Sequence, residues 1–493
     1  MKVLMTGNEA VAQGAYEAGV QFAAAYPGTP STEILENISL RKEITAEWAP
    51  NEKVAVESAF GASLAGARAL TAMKHVGLNV AADPFFTIGY TGINGGMVLV
   101  NADDPGLHSS QNEQDNRYYA RMAKVAMLEP SNSQESKDMV IRAMEISEKY
   151  DVLVMLRMTT RVCHSKSVVE TGERIEVPVK PYVKTPPKYI MAPANAKAAH
   201  IVVEKKLEEL EKFSNETELN YIEWNDKKIG VISAGVAYQY AKEVFSSSAS
   251  YLKLGFTFPL PMEKIKKFAE EVETLYVIEE LEPFMEEQIK AAGIKCIGKE
   301  KIPNTWELNP DIVKKSIFGT ENEIIDYDRT IAVGRPPTLC AGCPHRAFFY
   351  QLSKKKNTIV TGDIGCYTLG GAPPLNTMDT TICMGASISM AHGAKKVFER
   401  NNDNKRVVAV IGDSTFFHSG MTSLLDVVFN KGNTITCILD NRITAMTGHQ
   451  DNPGTGYTLQ GEITDTVQIE PIVRALGIKH IKTVNPMEQD EMK

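Results

Sequence analysis

Two positions near the C-terminal end of the chain have the types and spacing of a divalent-metal site. The apolar run 407–411 leads into Gly412, Asp413 and Ser414, and Asn441 follows the next predicted strand after 26 intervening residues. In an open parallel sheet, ligands bind beyond the carboxyl ends of the strands, so Asp413 and Asn441 should lie side by side. Their oxygens suit Mg²⁺ and leave coordination sites for a diphosphate. Taken alone, Gly-Asp-Ser is equally a strand-to-turn junction that binds nothing.

The distance from Gly-Asp-Ser to Asn441 resembles the thiamine diphosphate fingerprint, in which Gly-Asp-Gly is followed by Asn at that spacing. Ser414 departs from the glycine that is more usual there. The resemblance implies that Asp413, Asn441 and the backbone carbonyl of Ile443 hold Mg²⁺. It also implies that Gly412 and Ser414 allow close approach of the diphosphate.

Thiamine enzymes hold the aminopyrimidine ring on a second domain, and Glu52 is the carboxylate predicted to contact it. Glu52 begins a helix predicted over 53–75, whose small residues allow close backbone approach. A glutamate that shares a proton with the ring nitrogen favours the tautomer that deprotonates the thiazolium carbon. Glu57 is the rival for this role. A charge that serves only the helix dipole is the alternative that needs no ligand.

The alternation of elements around these residues predicts an α/β protein with three folded parts. Strands and helices alternate over 1–180, and the strands predicted there are 2–6, 21–26, 80–82, 97–101 and 151–158. The last part, 336–493, is again predicted to be doubly wound, with strands at 358–361, 407–411 and 434–439.

The segments between these two parts differ in composition. Residues 181–225 are predicted to be a linker with one heavily charged helix, because Pro and Lys are followed by a long run of charges. Residues 226–300 resume the alternating pattern and predict a smaller α/β domain. Residues 301–335 are polar and are predicted to be a second linker.

Composition excludes several classes of function. The chain has 493 residues, enough for several cores, and 53 basic against 61 acidic residues give a net charge of -8. The sequence therefore predicts no basic surface for nucleic acid or anionic lipid. With no long apolar run and no signal-peptide pattern, it predicts a cytoplasmic protein without a membrane partner. Seven sparse cysteines argue against a disulfide framework.

Longer motifs resemble the α subunits of indolepyruvate:ferredoxin oxidoreductases, within the thiamine-dependent 2-oxoacid:ferredoxin oxidoreductases. These motifs span nearly the whole chain: AYPGTPSTE, NEKVAVESAFGASLAGARAL, SSQNEQDNR, MTTRVCHS, RPPTLCAGCPHRA, GDIGCYTLG, CMGASISMAHG, VIGDSTFFHSG and DNRITAMTGHQ. The resemblance implies a pyrimidine-binding domain at 1–180 and a diphosphate- and Mg²⁺-binding domain at 336–493. The domain between them would be similar to a transketolase C-terminal domain.

The resemblance also implies roles for single residues. Thr29 would hydrogen-bond the substrate, with a plain turn residue as the alternative, and Arg117 would pair with the substrate carboxylate as a fork, with a surface role as the alternative. The cofactor-binding positions that it implies are Gly365, Cys366 and Tyr367 in the diphosphate loop, where backbone groups donate to phosphate, and Met384 beside the ring system.

Three cysteines resemble ligands of the [4Fe-4S] cluster of related pyruvate enzymes. Cys340 and Cys343 form a close pair, and Cys366 follows after 22 intervening residues. A fourth ligand is not predicted, because Cys383 and Cys437 fall in a predicted helix and a predicted strand. A structural or diphosphate-loop role for the three cysteines therefore stays open beside the cluster.

The resemblance implies coenzyme A-dependent oxidative decarboxylation of arylpyruvates such as indolepyruvate, with aryl-acetyl-CoA, CO₂ and reduced ferredoxin as products. It implies a hetero-oligomer with a smaller β subunit. The ferredoxin-like segment typical of such α subunits is not in this sequence, so we expect truncation or a separate chain that carries it. A non-oxidative thiamine-dependent 2-oxoacid decarboxylase is the alternative. A silent assembly subunit is disfavoured, because Asp413, Asn441 and Glu52 are all present.

Overall fold

The computed structural model describes residues 1–323, 328–488 and 490–492. The chain divides into two compact units, Met1–Ile324 and Ile325–Lys493. The strands of the first unit are β1 (Lys2–Thr6), β2 (Phe22–Ala25), β3 (Thr45–Trp48), β4 (Ala69–Lys74), β5 (Met97–Asp103), β6 (Ala126–Leu128), β7 (Val154–Thr159), β8 (Lys166–Glu170), β9 (Asn220–Glu223), β10 (Ile229–Ala234), β11 (Ser250–Leu254), β12 (Phe256–Phe258) and β13 (Thr274–Ile278).

Helices cover these strands on both sides. In chain order they are α1 (Gly7–Glu17), α2 (Thr32–Ser39), α3 (Glu52–Leu64), α4 (His75–Val80), α5 (Ala82–Thr91), α6 (Arg117–Ala123), α7 (Ser133–Tyr150), α8 (Thr160–His164), α9 (Pro186–Tyr189), α10 (Pro193–Glu216), α11 (Gly235–Phe245), α12 (Met262–Glu270), α13 (Phe284–Ala291) and α14 (Pro310–Phe318).

The main sheet of the first unit has seven strands in the order β12-β6-β7-β5-β4-β2-β3. All neighbours are parallel except β12, which pairs antiparallel with β6 at the edge. Every residue of β5 and β7 is buried, as expected for strands covered by helices on both faces. The predicted α/β class with parallel sheets is confirmed.

Two local predictions in the first unit are wrong. The strand predicted at 80–82 is helical, because α4 ends at Val80 and α5 begins at Ala82. The helix predicted over 53–75 ends at Leu64, and β4 follows. Gly66 lies between them at φ +100°, and a Cβ on it would meet the Lys180 carbonyl oxygen at 1.9 Å. Alanine favours helices, but here an Ala-containing strand is buried between β2 and β5.

The middle part of the first unit is built around a second sheet of order β13-β10-β11-β9. The first strand, β1, joins neither sheet and pairs antiparallel with β8. The two predicted linkers contain α10 and α14, which bury Val203, Leu210 and Val313. One apolar cluster runs from Val56 to Cys296. The predicted domain boundaries within this unit stay predictions.

In the described residues of the second unit, three parallel strands lie in the order β14-β15-β16. Its strands are β14 (Thr358–Thr361), β15 (Arg406–Gly412) and β16 (Ile435–Leu439), and its helices are α15 (Pro344–Leu352), α16 (Ala386–Arg400), α17 (Asp413–Thr415), α18 (Met421–Phe429) and α19 (Ile469–Ala475). A π-helical turn, Phe416–Gly420, joins α17 to α18, so helix begins at Asp413 rather than at the predicted Gly420. Nowhere in the described ranges does a helix have the length and apolarity needed to span a membrane.

Candidate functional site

Asp413 lies directly after the central strand of the second unit and is 3% exposed. The apolar β15 delivers it to the carboxyl end of the sheet, as the sequence predicts. Asn452 Nδ2 donates to Asp413 Oδ2 at 2.9 Å. Burial, and then the charge of Asp440, raises the pKa of Asp413 despite the hydrogen bond from Asn452. A cation beside this carboxylate would offset its desolvation.

The loops that follow β15 and β16 are hydrogen-bonded to one another. Ser414 Oγ and Thr444 Oγ1 are 2.8 Å apart. In the second loop, Ile443 N donates to the Asn441 side-chain oxygen at 3.3 Å, a local turn. The structure thus brings together the segments that carry Asp413, Asn441 and Ile443. Their oxygens are the hard donors that Mg²⁺ prefers, so the residues present fit such an ion.

Tyr367 packs against Gly365 of the predicted diphosphate loop and against Gly412 of the Gly-Asp-Ser turn. A Cβ on Gly365 would lie 2.4 Å from its ring, and a Cβ on Gly412 would lie 2.5 Å from it. The tyrosine hydroxyl donates to the Ile364 carbonyl at 2.8 Å, and its oxygen lies 2.9 Å from Thr415 Oγ1. Glycine is therefore required at 365 and 412 because an aromatic ring occupies the space of a side chain.

Asp363 is a buried carboxylate that the sequence argument missed. It accepts from Gly385 N at 2.7 Å, from Ser387 N at 3.0 Å and from Ile364 N at 2.9 Å, and so caps the start of α16. Burial raises its pKa. The Met384 carbonyl, one residue before this cap, accepts from Ser419 Oγ at 3.1 Å. The sequence contained a signal for Asp363: Gly362-Asp363 follows β14 in the same way that Gly412-Asp413 stands at the end of β15.

The cysteines do not form a metal site as placed. Cys340 is exposed, Cys343 and Cys366 are half-buried, and burial followed by the charges of the other two thiols raises the pKa of Cys366. In the part of the chain that the structure describes, no group of three or more His, Cys, Asp or Glu side chains could hold a metal ion. Cys437 lies in β16 as predicted, but Cys383 is exposed in the loop before α16 rather than in a helix.

In the first unit, Glu52 is the buried carboxylate and Glu57 is not. Glu52 is 4% exposed at the first position of α3, where Asn51 caps the helix by accepting from Val54 N. A Cβ on Gly77 would lie 2.7 Å from Glu52 Oε1, so α4 approaches this carboxylate closely. Glu57 is exposed and pairs with Lys53 on the surface. The structure favours Glu52 over its rival.

Thr29 lies beside a lysine that the sequence argument missed. The side chain of Ser109 donates to the Thr29 carbonyl at 3.2 Å, and Lys74 Nζ donates to the Ser109 carbonyl at 2.9 Å. A Cβ on Gly28 would lie 3.1 Å from Lys74 Cγ and Cδ, so the lysine stem crosses the backbone next to Thr29. Burial lowers the pKa of Lys74 to about 8.

Arg117 is buried in ion pairs rather than placed on a surface. It is 1% exposed and pairs with Asp115 at 2.5 Å and Glu279 at 2.6 Å. It also donates to the carbonyls of Glu280 and Glu282. The sequence predicted a fork to a substrate carboxylate, and here the chain's own acceptors take that place. This packing favours a structural role for Arg117.

Two family profiles match the chain. The profile described as "Pyruvate flavodoxin/ferredoxin oxidoreductase, thiamine diP-bdg" matches residues 13–219. The profile described as "Thiamine pyrophosphate enzyme, C-terminal TPP binding domain" matches residues 363–493. The first contains Glu52 and Lys74, and the second contains Asp413 and Asn441.

Curated relatives are similar along the whole chain. The "Indolepyruvate oxidoreductase subunit IorA" of Archaeoglobus fulgidus is 41% identical and covers 100% of this chain and 83% of its own length. The subunits of that name from Pyrococcus horikoshii and Methanothermobacter marburgensis are each 41% identical, over 99% of this chain and 82% of theirs.

Among solved structures, a chain of the 2-oxoglutarate:ferredoxin oxidoreductase from Magnetococcus marinus, solved with 2-oxoglutarate, coenzyme A and succinyl-CoA bound, aligns with a TM-score of 0.54. It is 16% identical, and the alignment covers 64% of each chain. At this identity the likeness concerns the fold.

Proposed function

Since the chain belongs to the family of indolepyruvate oxidoreductase subunits IorA, we propose that it serves the oxidative decarboxylation of arylpyruvates such as indolepyruvate. Coenzyme A would be the co-substrate and ferredoxin the electron acceptor, with an aryl-acetyl-CoA and CO₂ as products. The broader assignment, a thiamine diphosphate-dependent 2-oxoacid:ferredoxin oxidoreductase, follows from the relatives and from both family profiles.

The hydrogen bond between Ser414 and Thr444 is the observation that carries the proposal. It joins the loop of Asp413 to the loop of Asn441 at one edge of the sheet. A diphosphate requires a divalent cation, and these loops supply a carboxylate, an amide oxygen and the Ile443 carbonyl. We therefore assign Mg²⁺ to Asp413, Asn441 and Ile443, and the diphosphate to the loop of Gly365, Cys366 and Tyr367.

In the first unit, Glu52 is the proposed acid–base residue. When bound, thiamine diphosphate supplies the carbon nucleophile that attacks the 2-oxo group and takes up the electrons left by CO₂. Glu52 would hold the proton that it shares with the pyrimidine ring, and its burial keeps that proton from water. Thr29 is proposed to hydrogen-bond the substrate.

A partner chain is proposed for the complete reaction. The relatives are named as a subunit, which supports a hetero-oligomer with a smaller β subunit. Ferredoxin would receive the electrons from this assembly. The [4Fe-4S] cluster predicted at Cys340, Cys343 and Cys366 stays a prediction, and no step is assigned to it because the thiols as placed do not form a metal site.

Anaerobic viologen reduction by the protein with its co-expressed partner subunit tests this function. We expect reduction that requires thiamine diphosphate, Mg²⁺ and coenzyme A, and that is faster with indolepyruvate than with pyruvate. Equal rates for the two oxoacids would contradict the aryl preference. Release of an aryl-acetaldehyde without coenzyme A and without dye reduction would establish the non-oxidative decarboxylase instead.

A further inference from the structure

The burial of Arg117 leaves the carboxylate of the 2-oxoacid without its expected partner. A 2-oxoacid carries its negative charge next to the reacting carbonyl, so an enzyme of this class gains binding energy and orientation from a cation there. Arg117 is 1% exposed and is already paired with Asp115 and Glu279. Another cation would then have to bind the substrate carboxylate.

Lys74 is placed to do so. It is the last residue of β4, at the sheet edge where parallel strands end and ligands bind. Its stem crosses Gly28, and its ammonium bonds to the carbonyl of Ser109, whose hydroxyl bonds to the carbonyl of Thr29. Gly77, three residues after Lys74, contacts Glu52. Lys74 therefore adjoins the backbone of the proposed substrate contact, and the charge of the proposed acid–base residue Glu52 acts on it.

The carboxylates near Lys74 do not fully offset the desolvation of its ammonium group, so a further anion would stabilise it. Asp104 and Glu52 both raise its pKa, yet burial outweighs them and lowers it to about 8. Asp104 already accepts from Ser109 N, the Ser110 hydroxyl and the Thr160 hydroxyl. The adjoining His75 is buried, and burial lowers its pKa, which favours the neutral imidazole. An anionic ligand would repay the desolvation of the ammonium.

We propose that Lys74 binds the carboxylate of the 2-oxoacid substrate through a charge-assisted hydrogen bond. This assignment rests on the proposed function and names the residue that recognises the acid group common to its substrates. Ser109, whose carbonyl accepts from the ammonium, is exposed. Binding of the carboxylate would hold the 2-oxo carbon near Thr29 and Glu52.

The test compares an acid with its uncharged amide, so that no turnover is needed. Calorimetry measures the affinity of 3-indolepropionate and of 3-indolepropionamide for the assembled enzyme. We expect the wild type to prefer the acid by about 10- to 100-fold, Lys74→Met to lose this preference, and Lys74→Arg to retain most of it. Methionine keeps an apolar stem against Gly28, and Lys42→Met on the exposed surface is the matched control.

The pH dependence provides a second readout. Acid affinity in the wild type should fall about tenfold per pH unit above pH 8, as the Lys74 ammonium loses its proton, whereas Lys74→Arg should show no such fall. The assignment is overturned if Lys74→Met keeps the acid preference, or if the wild type has none. Dye reduction by the wild type with indolepyruvate is scored separately, so a failure of the proposed function is distinguishable.

Discussion

At the residue scale, the proposed metal ligand Asp413 and the proposed acid–base residue Glu52 are buried carboxylates. Each contacts residues that are distant in the sequence. Asp413 receives a hydrogen bond from Asn452, and Glu52 rests on Gly77. Burying a carboxylate is unfavourable unless a partner compensates it. A metal ion at Asp413 is a compensating group that the proposed function supplies.

Asp413→Ala should abolish magnesium-dependent binding of thiamine diphosphate, because it removes the only carboxylate of the proposed ligand set. Titration calorimetry with the cofactor in magnesium buffer measures this, and Asp465→Ala, an exposed residue of the same unit, is the control. Because burial raises the pKa of Asp413, protons should compete with the metal more strongly than at an exposed aspartate, and cofactor affinity should fall as the pH is lowered. Unchanged affinity in Asp413→Ala would refute the metal site.

Glu52→Gln should lower turnover by about 100- to 10,000-fold while thiamine diphosphate still binds, because glutamine cannot exchange a proton with the pyrimidine ring. Hydrogen–deuterium exchange at the thiazolium carbon of the bound cofactor, followed by NMR, measures the step directly. Glu57→Gln is the matched control, since Glu57 is exposed and pairs with Lys53. Slow exchange in the control with normal exchange in Glu52→Gln would reverse the assignment.

At the scale of elements, a Gly-Asp pair marks the carboxyl ends of two strands in the second unit, where the proposed ligand site lies. β14 ends before Asp363, which caps α16, and β15 ends in Gly412 before Asp413. One aspartate thus builds the scaffold, while the other faces the proposed ligand. The structural aspartate explains how α16 is positioned.

Asp363→Ala should destabilise the second unit by about 2–3 kcal/mol, because three backbone N–H groups lose an acceptor. Asp363→Asn should cost less, since its amide oxygen still accepts. Urea unfolding followed by circular dichroism measures the change, with Asp465→Ala at an exposed position of the same unit for comparison. A loss no larger than that of the surface variant would contradict the capping role.

At the scale of the whole molecule, a buried ionic network joins the first and middle parts of unit one. Arg117 bridges Asp115 to Glu279, which itself caps α13 by accepting from Met285 N and Glu286 N. Glu280 beside it accepts from Leu308 N at 3.0 Å, and burial raises its pKa to about 7. The network therefore links stability to pH.

Glu280→Gln should stabilise the first unit at pH 8 by up to about 3 kcal/mol and leave it unchanged near pH 4. The folded protein holds the Glu280 proton up to about pH 7, whereas the unfolded chain releases it near 4.5. Between these values the wild-type free energy of unfolding falls as pH rises, and the glutamine variant lacks this fall. Urea unfolding at pH 4.5, 6 and 8 measures it, and parallel curves for the two proteins would contradict it.

Residues 1–323 expressed alone should unfold cooperatively, whereas residues 1–225 should not. The shorter fragment lacks β12, which pairs with β6, and the apolar residues up to Cys296 that complete the shared cluster. Near-ultraviolet circular dichroism during urea unfolding distinguishes the two. A sharp transition in the short fragment would show that the predicted boundary near 180 marks an independent domain.

By itself, the sequence determined the features that depend on neighbouring residues. The apolar runs predicted β1, β2, β5, β7 and the strands β14, β15 and β16. The Gly-Asp-Ser turn placed Asp413 at a strand end, and the long motifs predicted the family. Such patterns are local, because a strand and its turn need only a few consecutive residues.

Tertiary structure decided the features that depend on residues far apart in the chain. The tertiary fold made 69–74 a strand, since burial between β2 and β5 outweighed the helix preference of alanine. It paired Arg117 with Glu279, 162 positions away, and brought Lys74 to Gly28. Sequence pattern does not encode which distant carboxylate neutralises a buried cation, because that choice is made by packing.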